Sequence, residues 1–502
     1  MEHSPATHSA SAGDASADDA SADHDPENRP EDEKLPPPQL IGYGVQHILA
    51  MFGGVIAVPF IIGGAAGLEG AELGLLVSSA LFVSGVATLL QTLGVPFFGS
   101  QLPLVQGISF AAVSTMITIV VGEESGERGL RVVFGAIIVA AVVGLLIAPV
   151  FSKVVRFFPA VVTGSVITII GISLIPVAGG WITSQEESAS GTAITLAAFT
   201  FGLVLVLSKI PILSRLAVLL ALVVGTAFAA ILGETTWTGS DADVVALPQP
   251  FEFGAPIFEI GAIVSMFIVI LVIMVETTAD ILAVGEVVGT RVDNKRIASG
   301  LRADMLASAV APVLNSFPAT AFAQNVGLVA LTGIKSRFAV AVGGGVLTVL
   351  GLSPVLAAVV GLLPLPVLAG AGIVLFGSVT ASGIRTLGKV NYDRNNNMII
   401  VAAAVSFGVI PIAWPEFWGA FPDWWQTIFD SEISAAAIVA FLLNLFFNVL
   451  LPGTPKDPTY PSVGPAVQVT EEEAEVLAEG GRFEAGKPVK EGRTPVQAED
   501  RP

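Results

Sequence analysis

From residue 39 onward, long apolar stretches alternate with short polar punctuation. Fourteen such stretches can be drawn, near 39–62, 71–95, 102–118, 129–152, 158–178, 192–208, 212–233, 257–283, 296–314, 320–332, 336–363, 366–386, 396–412 and 433–452. A membrane helix needs about 20 mostly apolar residues. The pattern therefore predicts an all-α polytopic membrane protein with fourteen transmembrane segments. An even number puts both ends of the chain on the same side.

Two of the stretches are poor simple spans. The third reads Leu102-Pro103-Leu104-Val105-Gln106-Gly107-Ile108-Ser109-Phe110, and the tenth reads Phe317-Pro318-Ala319-Thr320-Ala321-Phe322-Ala323-Gln324-Asn325-Val326-Gly327. Both mix Pro, Gly and polar residues into an apolar run. They lie seven segments apart, an odd offset that sets them in opposite orientations. Irregular backbone at membrane depth survives only where it is buried in protein or lines a polar cavity. Paired interrupted segments in the two halves of a chain point to a transporter's binding site, where freed N–H groups and half-helix N-termini become ligands. The alternative is an ordinary pair of kinked helices.

Loop charges give an orientation. The loops after segments 4, 6, 8, 10 and 12 carry twelve Lys and Arg, from Lys153 to Arg394, whereas the opposite loops carry Arg128 and Arg131. By the positive-inside rule the first set, and both ends, are expected in the cytoplasm of a cell-membrane protein. All six tryptophans (Trp181, Trp237, Trp414, Trp418, Trp424 and Trp425) fall on the other side, as an interfacial belt would.

Composition agrees. The chain of 502 residues is 53% hydrophobic and 13% charged, with a mean hydropathy of +0.79; a soluble chain is typically about 25% charged. The absence of cysteine excludes a disulfide scaffold, a thiolate metal site and a cysteine nucleophile. A net charge of −19 argues against a nucleic-acid partner. Residues 1–38, with ten acidic and two basic residues, and 453–502, with ten and six, cannot bury a core and are expected to be solvated, disordered tails. No basic n-region leads into an apolar core, so no cleaved signal peptide is expected.

Few polar residues fall inside the spans, and an ionisable group there is costly and usually functional. His47 lies in segment 1, Glu276 and Asp280 in segment 8 with Glu286 nearer its end, Asp304 in segment 9, and Gln324 and Asn325 in segment 10. Glu276 and Asp280, four apart, share a helix face. Two carboxylates on one face in a low dielectric do not both ionise readily, so the pair is suited to holding a proton. A planar heterocycle with adjacent N–H and C=O groups is read well by a carboxylate beside a side-chain amide, which Glu276 facing Gln324 would supply, with Phe110 offering a ring to stack on. Bland roles stand beside these. His47 is equally a helix–helix contact, Glu286 a helix-end residue beside Arg291, Asp304 a partner of Arg302 or Lys295, Asn325 a brace for broken backbone, and Phe110 a packing residue. No Gly-x-x-x-x-Gly-Lys-Ser/Thr or His-Glu-x-x-His stretch occurs, so neither an ATP-driven pump nor a metalloenzyme is expected, and no cofactor.

The run Gln324-Asn325-Val326-Gly327-Leu328-Val329-Ala330-Leu331-Thr332-Gly333 resembles the signature of the nucleobase–ascorbate transporter (nucleobase:cation symporter-2) family, Gln/Glu/Pro-Asn-x-Gly-x-x-x-x-Thr-Arg/Lys/Gly. Gln46-His47, Glu276-Thr277-Thr278-Ala279-Asp280 and Asp304 resemble further family features, over about residues 36–452. The resemblance implies two inverted repeats of seven spans, with a short strand and a half-helix in segments 3 and 10. It implies a core domain (39–152 and 257–363), a gate domain (153–256 and 364–452) and a homodimer. By the same analogy Glu276 and Gln324 bind the base, Phe110 stacks on it, Asn325 shapes the site, and His47, Asp280 and Asp304 support coupling. Gln at the first and Gly at the last signature position resemble xanthine and uric acid carriers; Val326 departs from the second Asn of many purine carriers. The expectation is an H+-coupled symporter of a purine nucleobase, with Na+ as the other coupling ion to test. Uracil:H+ symport and a passive anion channel are the competing readings.

Overall fold

The structure is a computed structural model and describes residues 29–68, 70–154, 158–183, 189–210, 213–235, 248–353, 362–392 and 396–450, with the backbone of two short strands near the C-terminus. Among them nine helices are long and apolar enough to cross a membrane. Four shorter apolar helical stretches, Phe110–Val121, Ala217–Ile231, Arg337–Gly351 and Asn397–Ala413, lie where the pattern places further spans.

The chain opens with α1 (Pro37–Ala65), whose Pro37 and Pro38 occupy first-turn positions where an N–H is not missed, while Pro59 lies inside the helix. It continues through α2 (Gly70–Leu93), β1 (Gln106–Ile108), α3 (Val113–Val121) and α4 (Gly126–Val154). The apolar run at 158–178 forms two helices, α5 (Ala160–Ser173) and α6 (Ile175–Thr183). The break at Leu174 precedes Pro176, which cannot donate to the helix ladder. Then come α7 (Gly191–Lys209), α8 (Ala217–Ile231), α9 (Ile260–Val288), α10 (Asn294–Val310), β2 (Ala319–Ala321), α11 (Ala323–Thr332) and α12 (Arg337–Gly351). The last elements of the membrane region are α13 (Leu365–Leu387), α14 (Asn397–Ala413), α15 (Asp423–Phe429) and α16 (Glu432–Asn444), which runs on as a π-helical turn. Gly289, at φ 80°, ends α9; its N–H bonds back to Gly285 and Glu286. The apolar pattern did not anticipate α15, a short aromatic-rich helix.

The first set of helices is α1–α4 with α9–α12. Within it α2 and α1 lie along α12, and α4 lies along α9 and α10. The α1–α12 crossing needs glycine: a Cβ on Gly44 would lie 2.7 Å from the Ala339 carbonyl oxygen, and one on Gly343 would lie 2.8 Å from that of Gly44. In the second set α13 packs on α5, α6, α7 and α8, and α16 packs on α5 and α14.

The two interrupted segments meet at the centre. β1 and β2 pair antiparallel, with Gln106 opposite Ala321, Gly107 opposite Thr320 and Ile108 opposite Ala319. The Ser109 N–H to Pro318 (2.8 Å) and the Phe322 N–H to Val105 (3.1 Å) extend the pairing. All six strand residues are buried. Each stretch thus satisfies the other's backbone groups where no lipid or helix ladder does so.

One expected tail is partly built in. A 3₁₀ turn at Pro30–Asp32 packs on α12 and reaches the start of α10 through Arg296. Glu31, fully buried, bonds Arg296 at 2.6 Å and Arg29 at 3.1 Å; Asp32 bonds Arg337 at 2.5 Å. Arg337 also caps α2 through the carbonyls of Thr92 (2.9 Å) and Leu93 (2.8 Å). The disordered reading of 1–38 therefore fails for its last residues, because cationic side chains offered partners that composition does not reveal. In the other tail, β3 (Arg482–Glu484) and β4 (Lys487–Val489) pair as a small hairpin.

Candidate functional site

Helix α9 brings Glu276, Thr277 and Asp280 up to β2 and α10. Thr320, on β2, donates to Oε2 of Glu276 at 3.3 Å. Thr277 donates to Oδ2 of Asp304 at 2.5 Å and lies 3.4 Å from the Thr320 hydroxyl. The Ala321 N–H reaches the Thr277 hydroxyl at 3.4 Å, tying the side-chain chain to the strand. Two hydroxyls therefore stand between the carboxyl groups of Glu276 and Asp304.

Asp280 and Asp304 are 7% and 1% exposed, and one oxygen of each finds no hydrogen-bond partner among the described residues. The sequence left open an Asp304 pair with Arg302 or Lys295. Instead Asp304 takes Thr277, Arg302 reaches the Phe97 carbonyl at 3.4 Å, and Lys295 is exposed. Residues two apart on a helix do not face each other, which separates Arg302 from Asp304. Glu286 is exposed near the end of α9.

His47 and Asn325, from α1 and α11, form a buried pair. The amide nitrogen of Asn325 is 2.8 Å from Nδ1 of His47 and 3.4 Å from the His47 carbonyl oxygen. A carbonyl can only accept, so the amide nitrogen faces it and Nδ1 must accept too. His47 then carries its proton on Nε2. Asn325 is fully buried, and its Oδ1 is without a partner among the described residues. The pair binds α11 to the middle of α1, so Asn325 braces the broken segment.

Phe110 sits half-buried in the 3₁₀ turn Phe110–Ala112 that leads into α3. Its ring is 6.4 Å from Phe322 and 6.0 Å from Phe376, the latter edge-on. Gln324 lies on the first turn of α11; its side chain is outside the described residues.

Beside Glu276 a small apolar pocket opens between α5, α9 and α16. Phe158, Val162, Thr163, Val166, Ile167 and Ile170 form one wall, Val272, Val275 and Glu276 another, and Ala437 a third. Glu276 is its one ionisable lining residue, and Phe110 is not on its wall.

The structure thus brings together Glu276, Asp280 and Asp304, pairs His47 with Asn325, and sets Phe110 in a separate aromatic group. The sequence reading missed Thr277, Thr320, Phe322 and the α5 wall. Thr277 and Thr320 carried a signal, since both sit inside the stretches singled out; nothing in the apolar run of α5 marked it.

A Permease family description (Xan_ur_permease) matches residues 38–417. The chain is 40% identical over 418 residues to the xanthine permease of Bacillus subtilis, covering 82% of this chain and 94% of that protein. It is 38% identical over 433 residues to the uric acid transporter UacT of Escherichia coli, covering 84% and 89%. Among solved structures, the transmembrane domain of a cyanobacterium bicarbonate transporter, BicA, aligns with a TM-score of 0.55 at 15% identity, over 83% of this chain and 99% of that one. SLC26A9 aligns with a TM-score of 0.58 at 11% identity, over 82% and 66%. These two likenesses establish a shared fold. The long apolar helices, the strands paired within the membrane region and the family match lead to one conclusion: the chain belongs to the Permease family and is an integral membrane transporter, not an enzyme.

Proposed function

We propose that this permease carries a purine nucleobase, xanthine or uric acid, together with H+, and that Glu276 grips the base. The observation that carries the reading is Glu276 itself. It is a carboxylate with no ion-pair partner among the described residues, presented to a small apolar pocket and held by Thr320 of the β1–β2 pair. Such a carboxylate accepts from ring N–H groups, and the paired strands keep the surrounding backbone rigid. The relatives named for xanthine and uric acid support the purine over uracil.

Three neighbouring carboxyl groups without a cation cannot all hold charge in a low dielectric. A proton shared among Glu276, Asp280 and Asp304 fits this arrangement, with the Thr320 and Thr277 hydroxyls as the bridge between two of them. Substrate and proton then arrive at one carboxylate, which is what coupling requires. Gln324 is assigned the amide face of the base and Phe110 the stacking face. Ionised carboxylates at this place would repel an anion, so a passive anion path is disfavoured unless these groups are protonated.

In this reading the first helix set is the moving core and the second the gate, in fourteen spans built as two inverted sevens. Both termini are cytoplasmic, and two copies form a dimer in the cell membrane. The test is uptake of labelled xanthine, urate and uracil into proteoliposomes under an imposed pH gradient, with a Na+ gradient as a parallel arm. Purine uptake driven by the pH gradient is expected. Uptake of uracil alone, or purine uptake indifferent to both gradients, would reject the substrate or the coupling respectively.

A further inference from the structure

The first turns of α3 and α16 are joined by two side-chain pairs that the substrate site does not use. Ser114 donates its hydroxyl to Oε2 of Glu432. The hydroxyls of Thr115 and Ser431 lie 2.8 Å apart. Ser114, Thr115 and Ser431 are 8%, 1% and 0% exposed, so the crossing is dry. Ser431 also caps α16 by accepting the Ser434 N–H at 3.3 Å, and a carboxylate at Glu432 suits that helix N-terminus.

Position gives these bonds their meaning. Ser114 and Thr115 lie one turn beyond Phe110, on the half-helix that continues from β1. Helix α3 packs mainly on α4, α9 and α1 of the first set, while α16 packs on α5 and α14 of the second. The crossing therefore spans the boundary between the two sets at the element that carries the stacking ring. A neutral hydroxyl pair contributes about 0.5–1.5 kcal/mol and a carboxylate–hydroxyl bond about 1.5–3 kcal/mol. That is enough to favour one arrangement and little enough to be broken in every cycle.

We propose that Glu432 is a positioning residue for transport: through Ser114 it seats the Phe110 half-helix, and the α3–α16 crossing parts and re-forms in each cycle. This rests on the reading above that the two helix sets move against each other around a purine site.

The chain contains no cysteine, so Thr115→Cys/Ser431→Cys can be made in the natural background. Oxidation is expected to cross-link the two positions, to reduce purine uptake more than about ten-fold, and to be reversed by dithiothreitol. Failure of the cross-link to form, or uptake by cross-linked protein at the reduced protein's rate, overturns the proposal. A cycle of Glu432→Gln with Phe110→Ala supplies the positioning readout. The apparent KM effects are expected to be non-additive by at least about three-fold, and additivity overturns the role of Glu432. Hydrogen exchange over residues 113–121 needs no substrate. Slower exchange on cross-linking supports the parting of the crossing, and unchanged exchange rejects it. Absence of purine uptake by the wild type would fail the functional reading separately.

Discussion

Two groups of acids, each with buried members, are handled in opposite ways. Glu31 and Asp32, on the N-terminal turn, meet Arg29, Arg296 and Arg337 within 2.5–3.4 Å. Glu276 and Asp304 meet threonine hydroxyls, Asp280 lies one turn along α9 from Glu276, and none of the three has an ion pair among the described residues. A neutralised acid is committed to holding elements together, because removing its partner leaves a bare charge. An acid without a cation stays available to a proton or a ligand. The same residue type thus serves as a fastening in one place and as a binding group in the other, and the difference lies in who stands beside it.

The largest effect should come from breaking the binding group. Glu276→Gln is expected to keep the fold and abolish purine uptake. Losing a buried charged partner costs about 2–5 kcal/mol, at least about 30-fold in affinity. Wild-type xanthine uptake by this variant would remove Glu276 from the site. Gln324→Glu, measured by competition among xanthine, urate and uracil, is expected to weaken purine recognition.

Breaking the fastening should act on stability. Glu31→Ala is expected to destabilise the protein by about 3 kcal/mol, read in thermal unfolding of the detergent-solubilised chain, with KM unchanged in the molecules that remain folded. A raised KM with an unchanged melting point would invert the comparison.

The fastening should also weaken in acid. Burial by itself raises the Glu31 carboxyl, but its backbone hydrogen bond, Arg296 and Arg29 outweigh this and hold it below its ordinary 4.5. A group lowered on folding stabilises fully above its unfolded value and loses that contribution as pH falls through the folded value. The stability gap between wild type and Glu31→Ala should be flat above about pH 5 and narrow below about 4.5. A gap that widens in acid would contradict the pairing.

Smaller still is the hydroxyl bridge. Thr277→Val removes a bond to Asp304 and is expected to cost about 1 kcal/mol, near five-fold in proton-driven uptake. Its neighbour Thr278 bonds, among the described residues, only the Met274 carbonyl of its own helix, at 2.7 Å, and Thr278→Val should be close to neutral. Equal losses in the two variants would dissolve the bridge as a functional element. At the bottom lies Arg128→Ala. Arg128 pairs with Glu123 and Glu259 at an exposed position, and its loss should leave the melting point unchanged.

Several of these features were legible before any coordinates. Most of the apolar runs locate helices to within a few residues, because lipid admits only segments that satisfy their own backbone, although the run 158–178 forms two helices and α12 ends well inside the run 336–363. The Pro and Gly of the third and tenth stretches mark the breaks for the same reason. Glu276, Asp280 and Asp304 stand out because little else polar lies in the spans. The partners were hidden. Thr277 and Thr320 are ordinary residues until a strand from one half of the chain is laid beside a helix from the other. Glu31 looked like one acid among ten in a polar tail, and its partner Arg296 lies 265 positions away. The α5 wall carries no charge in sequence, and its hydroxyls are spread along the helix, so nothing sets its cavity side apart from its packed side.

By itself the sequence determined the solvent. A chain this apolar and this poor in charge belongs in a bilayer, and the rare acids within its spans are too costly to be incidental. Tertiary structure alone decided which acids are paired, which stay open, and what stands next to each. Those choices depend on distances between residues far apart in the chain, and one-dimensional hydropathy carries no distances.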